Sequence, residues 1–133
     1  MGQLSIISVT GAVPHSACKL EFNDIKYKDD WLGFGPSTHR SPATRVGKVF
    51  HDDESYRMNH GIRIHVTDTV LAKAGEKVAR QYSTGSYVVC VRDCVSFSAD
   101  LIRACRLNVP LVNMTPYGLI LILAVWNKYE ELW

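Results

Sequence analysis

Around Thr67 the spacing of apolar residues changes, and that change limits what this chain can fold into. Before it, in NHGIRIHV (59–66), Ile62, Ile64 and Val66 alternate with Arg63 and His65, the period of a half-buried strand. After it, in TDTVLAKAGEKVARQY (67–82), Val70, Leu71, Ala74 and Val78 form one helical stripe, with Thr67 or Asp68 as N-cap. The segments on either side keep to this division. LSIISVTGAV (4–13) is β-branched and bounded by Gly11 and Pro14, so it reads as a strand. HSACKLEF (15–22) reads as a second, and WLGFGP (31–36) as the returning strand of a hairpin, ended by Pro36. In HSACKLEF, Cys18, Leu20 and Phe22 share one face, and His15, Ala17, Lys19 and Glu21 share the other. Ala17 is small, so a helix is expected to lie close over the His15 face.

Beyond the helix of 67–82, a second helix is expected over about 94–106, with Asp93 as N-cap and Asn108-Val109-Pro110 as its stop. A third is expected from about Pro116 to the C-terminus, with proline at its first position. YVVCV (87–91) is either a buried strand or an extended lead-in to the second helix. Residues 37–58 are polar and read as a long surface excursion, and long loops of this kind are often functional. Strands followed by helices define an α+β class, an antiparallel sheet packed with helices, and 133 residues are expected to form one domain.

Several function classes are disfavoured. The formal net charge is +2, and Lys and Arg never cluster beyond a dipeptide, so no nucleic-acid partner is expected. No basic residue precedes the first apolar run, so no signal peptide is expected, and Ile6 breaks the myristoylation pattern after Met1-Gly2. YGLILILAVW (117–126) is too short to cross a bilayer and reads as a buried helix, so no transmembrane segment is expected. Cys90 and Cys94 have no second ligand pair at metal spacing, so no metal is expected. The sequence leaves the oligomeric state undefined.

Chemistry is concentrated at Cys94. A thiol in the first turn of a helix meets unpaired N–H groups and a partial positive charge, which favour the thiolate. The same N–H groups can hold the oxyanion of a tetrahedral intermediate. Cys18, Cys90 and Cys105 lie inside apolar runs or stripes and read as core. A nucleophilic thiol also needs a base. His15, His39, His51, His60 and His65 all compete for that role, and the residues alone do not choose among them.

The set PHSACKLEF, WLGFGP, NHGIRIHVT and YVVCVRDCVSFSADLIRA resembles the circularly permuted papain-like (NlpC-like) cysteine hydrolases. These include lecithin:retinol acyltransferase-like enzymes, permuted papain-fold deubiquitinase-like peptidases and bacterial cell-wall amidases. His15 matches their strand-opening histidine, and Asp93-Cys94-Val95-Ser96-Phe97 matches their helix-opening cysteine motif. Asp93 stands where many relatives have Asn, and Pro14 where many have Gly. The resemblance implies a Cys94 nucleophile, a His15 base and a third, orienting member from the hairpin's return, Ser37 or His39. It implies an oxyanion site at the helix start, over Asp93, Cys94 and Val95, and no cofactor. Trp31, Phe34, Arg40, Arg45 and Tyr87 are the residues expected to contact substrate, the arginines at a carboxylate.

Three functions follow. The first is a peptidoglycan amidase or endopeptidase, a toxin-like bacterial effector made in the producer's cytoplasm and exported by a dedicated secretion system, with an immunity protein as partner. The second is an acyltransferase or lipid hydrolase of the lecithin:retinol acyltransferase-like type. The third is a non-enzymatic interaction domain in which Cys94 only packs.

Overall fold

A computed structural model of the chain describes residues 1–9, 15–36, 47–51, 60–83, 93–111 and 115–133. The elements run β1 (Gly2–Val9), β2 (His15–Glu21), β3 (Asp30–Pro36), β4 (Gly47–Phe50), β5 (His60–Val66), α1 (Asp68–Tyr82), α2 (Cys94–Ala104), α3 (Pro116–Trp126) and β6 (Glu131–Leu132). The strands form one open, wholly antiparallel sheet in the order β4-β3-β2-β1-β5-β6. The class is α+β, as the change of period at Thr67 requires.

Strand alternation divides the sheet into two unlike faces. Leu4, Ile6, Cys18, Leu20, Phe34 and Ile62 point to one side and share a single core with the three helices. Packing there is close. A Cβ on Gly75 of α1 would stand 2.7 Å from Leu20 Cδ2, so the helix lies close against β2 and a larger residue there would have to push the Leu20 side chain aside. Phe34, Tyr82 and Phe97 meet in this core, with Tyr82 edge-on to Phe34 at 4.8 Å and to Phe97 at 5.0 Å between ring centroids. Ile7, Val9, Ala17 and Trp31 point to the other side, where Trp133 packs on them. The expectation of a helix over the His15–Ala17 face is therefore overturned. The helices take the more apolar Cys18–Leu20 face, and indole rings cover Ala17.

Helix ends follow local chemistry. Thr67 is the backbone N-cap of α1 but makes no side-chain cap bond. The Asp68 carboxylate instead accepts from the amides of Asn23, at 3.2 Å, and Asp24, at 2.9 Å, tying the β2–β3 turn to α1. α2 ends at Ala104, two residues earlier than expected, in a Schellman arrangement: the Leu107 amide donates to Ile102 and the Arg106 amide to Arg103. Arg106 takes the left-handed position, with φ 64°.

Three further expectations are corrected. The polar stretch 37–58 contains a strand, β4, paired to β3 through Val49↔Phe34 and Phe50↔Gly33. α3 stops at Trp126 instead of reaching the C-terminus, because Asn127 turns away and exchanges hydrogen bonds with Asn108, 2.8 Å from its amide and 2.7 Å from its carbonyl. The chain then forms β6. Nor is α3 a buried helix. Leu119, Ile120 and Leu123 are buried, but Leu121 is 47% exposed and Val125 77%. Residues 10–13 of the first expected strand, and all of YVVCV (87–91), lie outside the described residues. No helix among the described residues is long and apolar enough to cross a membrane.

Candidate active site

Cys94 is the first residue of α2. Asp93 is the N-cap: its Oδ1 accepts from the Ser96 amide at 2.9 Å and from the Ser96 hydroxyl at 3.1 Å. That bond sets the first turn and leaves the amides of Cys94 and Val95 directed at the Cys94 sulfur. The Ser16 backbone on β2, across the core, also favours the thiolate. The helix is held to the strand at this point by Ser98, one turn on. The Ser98 hydroxyl donates to the Cys94 carbonyl at 3.0 Å and lies 2.8 Å from the Ser16 hydroxyl.

The electrostatic expectation is reversed. Burial pushes the Cys94 thiol up to about 11, and the nearby Asp93 charge adds to the rise. The amides of Ser16, Val95 and Cys94 pull the other way without prevailing. The sulfur is 7% exposed as part of its residue, so removing it from water outweighs the helix-terminus effect. At neutral pH the resting group is the thiol. Cys105, shielded by burial alone, is pushed higher, to about 12.

His15 opens β2 and is buried. Its Cα is separated from the Ser16 amide nitrogen only by its own carbonyl carbon, about 2.4 Å by standard backbone dimensions. The Ser16 amide, which favours the Cys94 thiolate, therefore belongs to the peptide His15 begins. The pleat directs the His15 Cβ with Ala17 and Val9, away from the helices. An imidazole reaching the sulfur must turn around the start of β2. The other described histidines have separate surroundings. His51 Nδ1 is 2.8 Å from Asp30 Oδ2, at the rim of a cavity of about 260 Å³ bounded also by Leu20, Phe22 and Ala72. His60 packs on Tyr117, with ring centroids 4.3 Å apart. His65 Nε2 is 3.2 Å from Glu130 Oε2.

The remaining site residues fall in three groups. Val95 is in the first turn of α2 beside Cys94, as expected. Phe34 and Trp31 do not join it at a surface cleft. Phe34 is wholly buried between Tyr82 and Phe97, and Trp31 packs on the opposite face of the sheet, under the Lys19 ammonium at 5.2 Å. Ser37, His39, Arg40, Arg45 and Tyr87 lie outside the described residues. Sequence reasoning missed Ser16 and Ser98. The signals were present: Ser16 is a hydroxyl on the apolar face of β2, and Ser98 follows Cys94 by four residues, one helical turn. Among the described residues no three His, Cys, Asp or Glu side chains gather as metal ligands.

Fold and site together define an α+β domain with a cysteine at a helix N-terminus, buried against a central strand. No family model matches the chain, nor does any curated protein or solved structure.

Proposed function

We propose that the chain is a cysteine hydrolase of permuted papain-like architecture that cleaves amide bonds, with Cys94 as nucleophile and His15 as base. The observation that carries this reading is the place of Cys94, the first residue of α2 behind the Asp93 cap, held to β2 through the Ser98–Ser16 hydroxyl contact. An apolar packing cysteine needs no such arrangement. In the reaction, the His15 imidazole, turned around the start of β2 toward α2, takes the thiol proton as the sulfur attacks the carbonyl carbon. Negative charge passes from sulfur to the carbonyl oxygen, and the amides of Cys94 and Val95, at the open end of α2, follow it as oxyanion donors. The intermediate collapses with loss of the amine, which takes its proton from His15. Water then hydrolyses the thioester. Because the resting sulfur is a thiol, its proton leaves in step with attack and no thiolate is stored beforehand.

The substrate class that fits the motif resemblance is the stem peptide of peptidoglycan, the chain acting as an exported bacterial effector. Purified protein is expected to release soluble stem peptides from isolated sacculi. Cys94→Ala and His15→Ala are expected to stop release while keeping the fold. Release by Cys94→Ala at the wild-type rate would remove the reading. The raised pKa of Cys94 favours one second reading, an interaction domain whose thiol only packs. Absence of release from sacculi and of turnover of a short thioester or a phospholipid, with the fold intact, would move the assignment there. Turnover of lipid alone would assign an acyltransferase or lipid hydrolase.

A further inference from the structure

The hydroxyl of Ser98 is saturated. It has one hydrogen and two lone pairs. The hydrogen goes to the Cys94 carbonyl at 3.0 Å. With that hydrogen spent, the 2.8 Å contact with Ser16 Oγ has Ser16 as donor, and the Cys18 thiol donates to the second lone pair at 3.4 Å. All of these groups are buried, and Ser16 and Ser98 are each 1% exposed. Ser98 thus joins the residue that carries the sulfur to Ser16 on β2.

We propose that Ser98 is a positioning residue for the Cys94 thiol: by holding the first turn of α2 to the Ser16 hydroxyl, it fixes where the sulfur sits against β2. This rests on Cys94 being the nucleophile. A purely structural Ser98 would fill a core position and satisfy a helix carbonyl, which any well-packed residue could approximate. A positioning Ser98 controls how well the sulfur's negative charge is received. The titratable groups around this clamp are Asp93, beside Cys94 on the first turn of α2, and the Cys18 thiol on β2, which donates to Ser98 at 3.4 Å.

Alkylation of Cys94 by iodoacetamide reads the thiolate directly. Cleavage after Arg92 and Arg103 isolates Cys94 in a peptide with no other cysteine, so its rate is separable from the rest. At pH 9, Ser98→Ala is expected to slow Cys94 alkylation about tenfold, equivalent to one unit of thiol pKa. Ser98→Thr, which restores the hydroxyl, is expected to recover most of the rate. A merely structural role predicts the opposite, since a loosened core exposes the sulfur and speeds alkylation. An unchanged or faster rate in folded Ser98→Ala overturns the proposal. Should Ser98→Ala fail to fold, Ser16→Ala decides in the same way, because it keeps the Ser16 amide and breaks only the hydroxyl link. Amide hydrolysis is measured separately. A slowed alkylation rate with an inactive wild type keeps the clamp and removes the hydrolase. An unmoved rate with an active wild type removes the clamp alone.

Discussion

Trp133 lies with its indole directly on Gly61, where any Cβ would enter the ring. Two backbone bonds secure the pair, Gly61 N–H to Trp133 O at 3.2 Å and Trp133 N–H to Gly61 O at 3.0 Å. The Arg63 guanidinium sits 5.5 Å from the indole centroid, and Arg63 also pairs with Glu131 at 2.6 Å. Gly61→Ala is expected to displace the ring and to destabilise the fold by about 1–3 kcal/mol, as overpacking does. Urea unfolding gives the loss, and increased acrylamide quenching of tryptophan emission shows that the ring has moved.

The Schellman turn after α2 carries an arginine where glycine is strain-free. With φ of 64° at Arg106, the Cβ crowds the backbone. Arg106→Gly is expected to raise stability by up to about 1 kcal/mol, the relief of strain exceeding the added freedom of the unfolded chain. A lowered midpoint in thermal unfolding would show that the arginine side chain contributes more than its backbone costs.

Both perturbed thiols weaken the fold in alkali. Cys94 is raised from 9.0 to about 11 and Cys105 from 9.0 to about 12, so each ionises earlier in the unfolded chain. Their contribution is intact below pH 9 and is lost as pH rises through 9 toward 11 and beyond. Between pH 9 and its folded pKa each thiol is expected to remove roughly 1 kcal/mol per pH unit. Wild type and a Cys94→Ala, Cys105→Ala double variant, unfolded in urea at pH 8 and pH 10, should diverge, with the wild type losing more.

At neutral pH, Cys94 is expected to alkylate far more slowly than a thiol in the urea-unfolded chain, yet faster than Cys105. The helix position alone led to an expectation of fast reaction, and burial overturns it. Peptide-resolved mass spectrometry before and after denaturation checks the order. A Cys94 rate matching the unfolded chain would mean that the sulfur is open to solvent.

Periodicity made β5 and α1 legible, because each buries a regular apolar face: Ile62, Ile64 and Val66 in β5, and Leu71, Ala74 and Val78 in α1. The Asp93 cap and the placement of Cys94 were equally readable, since both depend on local backbone chemistry. β4 was not readable. It has four residues in a polar stretch, with only Val49 and Phe50 as apolar members, and it exists through pairing with β3. The end of α3 depends on Asn108, nineteen positions before Asn127, so no window on the helix could show it. The Cys94 pKa depended on depth beneath the fold, a tertiary quantity. Ser16 and Ser98 were visible as residues, but their bond joins positions 82 apart.

Among the described residues the outermost strands of the sheet are short, four residues in β4 and two in β6. Short margins are poor templates for the backbone of another molecule, and β6, paired to β5 at Ile62 and Arg63, carries the carboxylate of Glu131. Those last residues therefore act as a guard. Without them the seven-residue β5 would present its outer row of amides and carbonyls to any neighbouring strand, turning a self-contained sheet into the growing end of an aggregate.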